Sequence, residues 1–303
     1  MSDRVKPIEE RRLAGIALVL VAYFCFVDSC AKWLSLSGLP TAEVVFVRYA
    51  GQLLLVSAIF LPSRGRALGA TRSPRLEIVR GLCLMGSTVC NFLAVRYLPL
   101  TVTAAISFAM PLILCALSIP LLGEHVGWRR WLAILAGFIG ILVIVRPGTE
   151  TFHPASFASL AGAFFTALYL LLTRKLAGVD STATQQFYAA LVASICTVGF
   201  AAGDWRWPSD AAAWTAFAAI GAAALVGHQL LTTGHRYAPA SVLAPFGYVQ
   251  ILFMAVSSWL VFDQPPEIWL YVGAPIVIGS GLYIWLREQQ LSKTIVTDVV
   301  ADR

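Results

Sequence analysis

The chain has 303 residues, of which 58% are hydrophobic and 13% are charged, and its formal net charge is +6. A soluble domain is about 45–50% apolar and about 25% charged, so the composition argues against one and indicates a polytopic membrane protein. No basic patch lies among stacking aromatic residues, which argues against a nucleic-acid partner. The six cysteines lie inside apolar runs without metal-ligand spacing, so we expect no disulfide framework, metal or cofactor.

Apolar runs of membrane-spanning length follow one another along the chain. About 20 helical residues at about 1.5 Å each cross a hydrocarbon core about 30 Å thick. The first run follows a polar segment, residues 1–11, and no A-x-A type cleavage site comes after it, so we expect it to stay as the first helix. Turn residues separate the runs, and the pattern predicts ten helices. The predicted spans are Leu13–Leu36, Thr41–Leu61, Leu76–Val95, Leu100–Leu122, Trp131–Val145, Ala155–Leu172, Ala183–Ala202, Ala211–Thr233, Ala240–Phe262 and Ile268–Leu286.

The basic residues predict the orientation. Most of the 22 lysines and arginines fall in the segments that share a side with the N-terminus if ten helices are threaded in turn. Cytoplasmic loops carry such an excess, so we expect both termini, including the tail 289–303, in the cytoplasm of a bacterial-type inner membrane. The same bias explains the positive net charge without an acidic partner.

One stretch of the chain occurs twice. Arg96–Glu124 reads RYLPLTVTAAISFAMPLILCALSIPLLGE, and Arg236–Gln264 repeats its pattern as RYAPASVLAPFGYVQILFMAVSSWLVFDQ. The repeat predicts two five-helix units, residues 12–148 and 149–288. Because five is odd, the second unit enters the membrane from the opposite side. Inverted repeats are typical of secondary transporters, whose central cavity lies where the halves meet.

The segment Pro111–Gly148, PLILCALSIPLLGEHVGWRRWLAILAGFIGILVIVRPG, resembles the signature of the drug/metabolite transporter superfamily in its ten-helix EamA-type branch. A mid-helix proline, a Gly-Glu helix end and a glycine-rich fifth helix carry the resemblance. It covers about residues 12–288 and implies a transporter of small organic metabolites. The second half departs from the pattern, with Ile251 in place of the proline and Asp263–Gln264 in place of Gly-Glu. The whole chain is most similar to bacterial exporters of aromatic and other neutral amino acids.

Among the charged residues inside predicted spans, three form a candidate intramembrane cluster. Asp28 and Lys32 are an i,i+4 pair on the first helix, and Arg48 lies at a similar depth on the second. Intramembrane charges are costly and face a cavity or a partner. The cluster is therefore either a gate or proton-coupling site, or a static ion network that ties two helices together. A carboxylate between two cations favours the static network.

Other polar and aromatic residues form stripes on the predicted helices of both halves. Amides and imidazoles need several partners in hydrocarbon, and a proline frees a backbone carbonyl, so such positions are candidates to line the cavity. Hydroxyl residues can instead bond back to their own helix, and aromatic residues can face lipid. The cavity candidates are Tyr23, Phe24, Asn91, Ser107, Pro111, Tyr169, His228, Gln229, Tyr248 and Gln250.

The resemblance and the scarcity of mid-membrane cations favour a secondary transporter of zwitterionic metabolites. We predict an exporter or facilitator of amino acids, aromatic and neutral ones included, that works by alternating access with lipid and substrate as its only required partners. A drug, nucleotide-sugar or sugar-phosphate carrier is the alternative. An intramembrane enzyme is the other class, and no H-E-x-x-H, G-x-S-x-G or paired carboxylate supports it.

Overall fold

The computed structural model is all-helical over the residues it describes, which are 26–122, 128–149, 152–176, 179–237 and 250–301. The first helix, α1, is described over residues 26–36. A short 3₁₀ turn, Gly65–Leu68, follows the second helix. The other helices are α2 Thr41–Arg64, α3 Pro74–Tyr97, α4 Leu100–Ser107, α5 Met110–Leu122, α6 Trp128–Val145, α7 Ala155–Lys175, α8 Thr182–Gly203, α9 Ala211–Tyr237, α10 Gln250–Phe262 and α11 Ile268–Ala301.

Seven spans within the described ranges are long and apolar enough to cross a membrane, and α4 and α5 together supply one of them. Two shorter apolar helices, Trp131–Val145 and Gln250–Phe262, lie where the fifth and ninth spans are predicted. Large apolar side chains such as Leu54, Phe200 and Leu260 point outward and are exposed. An apolar exterior is what a helix bundle presents to lipid, so the prediction of a multi-span membrane protein is confirmed. The count of ten helices stays a prediction.

The predicted fourth span is broken in its middle. α4 ends at Ser107, and α5 begins at Met110. Pro111 has no N–H to donate to the carbonyl of Ser107, four residues earlier, so the helix cannot continue through this point without losing a bond. In the second half, Ile251 stands where a proline would be expected, and the positions that correspond to the break lie outside the described residues.

The helices pack in pairs that join the first half of the chain to the second. α2 packs against α8 and α9, α3 against α7 and α8, α6 against α11, and α4 against α10. The largest buried cluster runs through these contacts and includes Tyr49, Phe92 and Ile220. The closest approach of α2 to α9 occurs at two glycines, Gly51 and Gly221.

A methyl group at Gly221 is expected to disturb this crossing. A Cβ there would lie 2.9 Å from the Gly51 Cα and 3.0 Å from the Gln52 backbone nitrogen, and neither atom can move without its helix. Overpacking of this kind costs about 1–3 kcal/mol, so Gly221→Ala is expected to lower the melting temperature of the purified protein. Gly199→Ala is the matched control, because a Cβ at Gly199 meets nothing within 4 Å. Equal melting temperatures for the two variants would contradict this packing.

Candidate substrate site between the helices

A stripe of polar residues on α3 connects four other helices. Arg80, Ser87 and Asn91 are seven and four residues apart and therefore share one face of the helix, and Thr88 lies next to Ser87. Asn91 reaches α1, Thr88 reaches α2, Ser87 reaches α7, and Arg80 reaches α7 and α8. Buried polar groups that are bonded across helices in this way fix the register of the bundle.

Asp28 on α1 accepts a hydrogen bond from Asn91. The Asn91 Nδ2 lies 2.8 Å from the Asp28 Oδ1, and the carboxylate also interacts through space with the charge of Arg48 on α2. Both Asp28 and Asn91 are half-buried. Asp28 thus lies within range of the Arg48 charge, and Asn91 adds a neutral partner that sequence spacing does not reveal.

Arg48 is 6% exposed and contacts both halves of the chain. Its Nη2 lies 3.4 Å from His228 Nε2 on α9, and its guanidinium carbon lies 4.3 Å from the centroid of the Tyr49 ring. A guanidinium can only donate, so Nε2 accepts and His228 is the neutral tautomer with its proton on Nδ1. The Tyr49 ring is held in turn by its hydroxyl, 2.7 Å from Thr88 Oγ1 and 3.1 Å from the Leu84 carbonyl.

Asp28, Arg48, Asn91 and His228 form what we call the polar centre. A cavity of about 400 Å³ opens beside it, at the end of the bundle that carries the α2–α3 loop, residues 65–73. Phe60, Arg64, residues 180–183 and Gln229 line it, and Gln229 is the neighbour of His228 in sequence. The Gln229 Oε1 accepts a hydrogen bond of 3.0 Å from Gln186 Nε2 on α8. The cavity therefore leads from one end of the bundle toward the polar centre.

A larger cavity of about 630 Å³ lies between α5, α6 and α7. The described side chains that line it are apolar, Leu112, Phe138 and Phe164 among them. Such a surface suits hydrocarbon chains and offers no polar group to orient a metabolite. We therefore place the candidate site at the polar centre rather than in this groove.

Arg80 and Glu77 form an ion pair that the sequence does not single out. The Arg80 Nη2 lies 3.0 Å from the Glu77 Oε2, and the two side chains are 2% and 0% exposed. Arg80 also donates to the Gln185 carbonyl and lies over the Tyr169 ring, at 5.3 Å from its centroid. The predicted span 76–95 contains both charges at i,i+3, and that spacing is the signal that could have revealed the pair.

Lys32 points away from Asp28. Its Nζ lies 2.5 Å from the Leu98 carbonyl and 5.3 Å from the centroid of the Phe262 ring. Leu98 follows the last residue of α3 and precedes Pro99, so its carbonyl is one of the acceptors that a helix end leaves without a helical donor. Lys32 therefore caps α3 and is not a member of the Asp28–Arg48 cluster.

Comparison with known proteins decides the family. The model of the EamA-like transporter family matches residues 13–146 and matches again over residues 153–286. The chain belongs to the EamA-like transporter family. The family and its named members are transporters rather than enzymes, and the resemblance to the drug/metabolite transporter superfamily is confirmed.

Similar proteins of this family carry chemically different substrates. The EamA-like chain is 29% identical to a riboflavin transporter of Vibrio cholerae over 94% of its own length and 97% of the other. It is 26% identical to an S-adenosylmethionine uptake transporter of Rickettsia felis over 87% and 88% of the two lengths. It is also 27% identical to a pseudopaline exporter of Pseudomonas aeruginosa over 88% and 93%. None of these three names is that of an aromatic amino-acid exporter.

One solved crystal structure covers almost the whole EamA-like chain. It is 16% identical, and it superposes with a TM-score of 0.60 over 93% of this chain and 98% of the other. At that identity the similarity supports the fold alone.

The structure brings together only part of the predicted cavity set. Asn91, His228 and Gln229 lie in the polar centre with Asp28 and Arg48, and Tyr169 lies against Arg80. The Ser107 hydroxyl instead bonds back to the Thr103 carbonyl at 2.8 Å, which is the packing alternative. Pro111 follows the helix break, and Gln250 opens the described part of α10, which packs against α4. Tyr23, Phe24 and Tyr248 lie outside the described residues.

Asn91→Ala and His228→Ala are each expected to reduce transport by about tenfold or more at equal expression. Each substitution leaves a charged partner, Asp28 or Arg48, without a hydrogen bond, which costs about 1.5–3 kcal/mol. Thr215→Ala is the control, since Thr215 lies exposed on the same helix as His228 and bonds only to the Ala211 carbonyl among the contacts seen. Initial rates of labelled-substrate uptake into vesicles measure the effect. Rates equal to that of the Thr215 variant would place the site elsewhere.

Proposed function

We propose that the chain is a secondary transporter of small zwitterionic metabolites, amino acids and their derivatives, that works by alternating access between two inverted halves. One observation carries the proposal. The polar centre is assembled from both halves, because Arg48 of the first half contacts His228 of the second, and the adjoining cavity is lined by Phe60 and Arg64 from the first half and by residues 180–183 and Gln229 from the second. A site at the junction of two repeats changes its access when the repeats move relative to each other.

Two findings support the doubled architecture. The family model matches the first and the second half separately. α2 and α3 are the second and third spans of the first half, and α8 and α9 are the corresponding spans of the second half. The contact of α2 with α9 therefore has an equivalent in the contact of α8 with α3, and both contacts are present. Matched pairs of this kind are expected of repeats related by a two-fold axis. We propose repeat boundaries at 12–148 and 149–288 and both termini in the cytoplasm.

Hydrogen bonds join the two halves at both ends of the junction and supply the parts of a gate. At the end that carries residues 65–73, Thr71 Oγ1 donates to Asp180 Oδ2 at 2.5 Å, and Arg64 Nη1 donates to Ser181 Oγ at 2.7 Å. At the opposite end, the backbone nitrogen of Arg206 donates to Glu43 Oε2 at 3.0 Å. Each bond joins one half of the chain to the other. Breaking one set while keeping the other would open the centre to one side at a time.

The named relatives support two substrate classes. S-adenosylmethionine carries an amino-acid head, which agrees with a zwitterionic substrate. Riboflavin is an uncharged ring compound, and the 29% identity to its transporter favours a neutral heterocycle as a second candidate. The opposite charges of the half-buried Asp28 and the buried Arg48 favour the zwitterion.

Uptake into sealed vesicles that contain only this protein tests the proposal. The substrates are labelled phenylalanine, alanine, S-adenosylmethionine and riboflavin, each with and without a pH gradient, and empty vesicles are the control. We expect saturable uptake of at least one zwitterion. Flux of riboflavin alone would shift the assignment to the second candidate, and flux of none would remove both. Rates that stay constant when the gradient is collapsed would exclude proton coupling.

A further inference from the structure

Arg48 has hydrogen-bonding capacity that the described part of the protein does not use. Its Nε and Nη1 are buried and have no partner there, while its Nη2 faces His228. A buried donor left unpaired costs about 1–3 kcal/mol, and more when it is charged. Tyr49 and His228 hold the guanidinium in place from two sides, so the free donors have a fixed direction. The arrangement is that of a preformed acceptor site for an anion.

Asp28 offers the opposite charge nearby without neutralising Arg48. Its carboxylate interacts with Arg48 through space, yet the ion pairs within 4.0 Å in the described ranges are Arg80–Glu77, Arg146–Glu267 and Arg206–Asp204. Asn91 donates a hydrogen bond to the Oδ1 of Asp28 and so orients the carboxylate. Two opposite charges are therefore held close, on different helices, without direct contact.

The Glu77–Arg80 pair shows what a purely structural ion pair looks like in the same bundle. Its atoms touch at 3.0 Å, both residues sit on one helix, and the arginine fills its remaining capacity on the Gln185 carbonyl and the Tyr169 ring. Asp28 and Arg48 differ in each respect. The difference favours a pair that is completed by a ligand over a static tie between α1 and α2.

The local charge also selects the kind of anion. A single guanidinium flanked by a neutral imidazole and a carboxylate suits a carboxylate with one negative charge. A phosphate dianion would be repelled by Asp28 and would call for a second cation at the site. An ammonium beside the carboxylate would in turn satisfy Asp28.

We infer that Arg48 and Asp28 form a zwitterion subsite. Arg48 binds the carboxylate of the substrate through Nε and Nη1, and Asp28, oriented by Asn91, binds its ammonium group. His228 and Tyr49 act as positioning residues for the guanidinium. This inference rests on the proposed function and names the part of the substrate that the site recognises.

The test compares an amino acid with two analogues that each lack one charge. Labelled phenylalanine and labelled S-adenosylmethionine are the reporters in proteoliposomes. The competitors, at equal concentration, are the unlabelled substrate, its decarboxylated amine and its deaminated acid. We expect both analogues to compete at least tenfold more weakly than the substrate on the wild-type protein, because each leaves one buried charge unpaired.

Two variants each remove one of the two charges of the proposed subsite. In Arg48→Gln, the amine is expected to compete less than about threefold more weakly than the substrate. The acid should still compete at least tenfold more weakly than the substrate. In Asp28→Asn, the acid is expected to gain in competition relative to the substrate, while the amine remains the weak competitor that it is on the wild-type protein. Each difference is a ratio within one preparation, so the amount of folded protein cancels. Competition by the amine or by the acid that equals the substrate on the wild-type protein overturns the inference, even if a variant fails to fold.

The outcomes separate the inference from the function on which it rests. If riboflavin is taken up and neither phenylalanine nor S-adenosylmethionine is, the proposed subsite is wrong, although the chain is still a transporter. No uptake of any tested compound removes the transporter assignment itself. Variants that keep both differences unchanged would show that the Asp28–Arg48 pair is structural only.

Discussion

Replacing Arg80 with methionine is expected to destabilise the protein by about 3–5 kcal/mol, the cost of leaving a buried charge without its partner. Glu77 is fully buried, and its Oε1 has no hydrogen-bond partner in the described structure, so Arg80 is what compensates its carboxylate. The substitution also removes the bond to the Gln185 carbonyl and the contact with the Tyr169 ring.

The measurement is the melting temperature of the purified protein, followed by the fraction that remains monodisperse after heating. Arg75→Met is the matched control, since Arg75 is an exposed arginine on the same helix. The double variant Glu77→Gln with Arg80→Met is expected to recover much of the loss, because it removes the uncompensated charge. A melting temperature for Arg80→Met equal to that of Arg75→Met would contradict a structural role for the pair.

The helix starts were largely predictable from the sequence, and the reason is local chemistry. α7, α9 and α11 begin at Ala155, Ala211 and Ile268, as predicted, because turn residues precede each of them. The helix ends were less predictable. α2 runs on to Arg64 and α3 to Tyr97, beyond the apolar runs, because hydropathy reports the depth of the membrane rather than the last hydrogen-bonded turn.

The members of the polar centre could be proposed from sequence, but their pairing could not. Asn91 and His228 were candidates because amides and imidazoles are costly in hydrocarbon, and both lie in the centre. The i,i+4 spacing of Asp28 and Lys32 predicted a pair, yet Lys32 bonds the Leu98 carbonyl, since a helix end in the tertiary structure offers it an unpaired acceptor. Arg80 falls near the edge of an apolar run, where a basic residue reads as a topology signal.

The buried cations also change the picture of the centre. The scarcity of mid-membrane cations in the sequence predicted a chamber that is largely uncharged. In the structure, Arg48, Arg80 and Lys32 are all buried, and each has a different role. Arg80 stabilises the bundle, Lys32 caps a helix, and Arg48 keeps two donors that no residue in the described ranges uses. Only the three-dimensional contacts distinguish these roles, because the residue type is nearly the same in each case.

Locking one end of the junction is expected to abolish transport completely. Thr71 and Asp180 belong to different halves, and their side chains meet at 2.5 Å. A short bifunctional methanethiosulfonate, which forms a reducible disulfide with each thiol, would link Thr71→Cys to Asp180→Cys and hold the halves together at that end. If the halves must separate there for the centre to open, no substrate can complete a cycle.

The control pair places the same reagent within one half. Ser63 and Ala67 lie four residues apart, both exposed, at the same end of the bundle. A link between Ser63→Cys and Ala67→Cys cannot tie the halves together, so transport should continue. The single-cysteine variants, treated in the same way, report any reaction of the native cysteines.

Uptake by the Thr71→Cys, Asp180→Cys protein before linking, after linking and after reduction is the measurement that tests the central claim most directly. The claim is that two halves move against each other around a shared polar centre. It predicts uptake before linking, no uptake after linking and recovered uptake after reduction. The Ser63→Cys, Ala67→Cys protein should take up substrate at all three stages. Full uptake by the linked protein would contradict it.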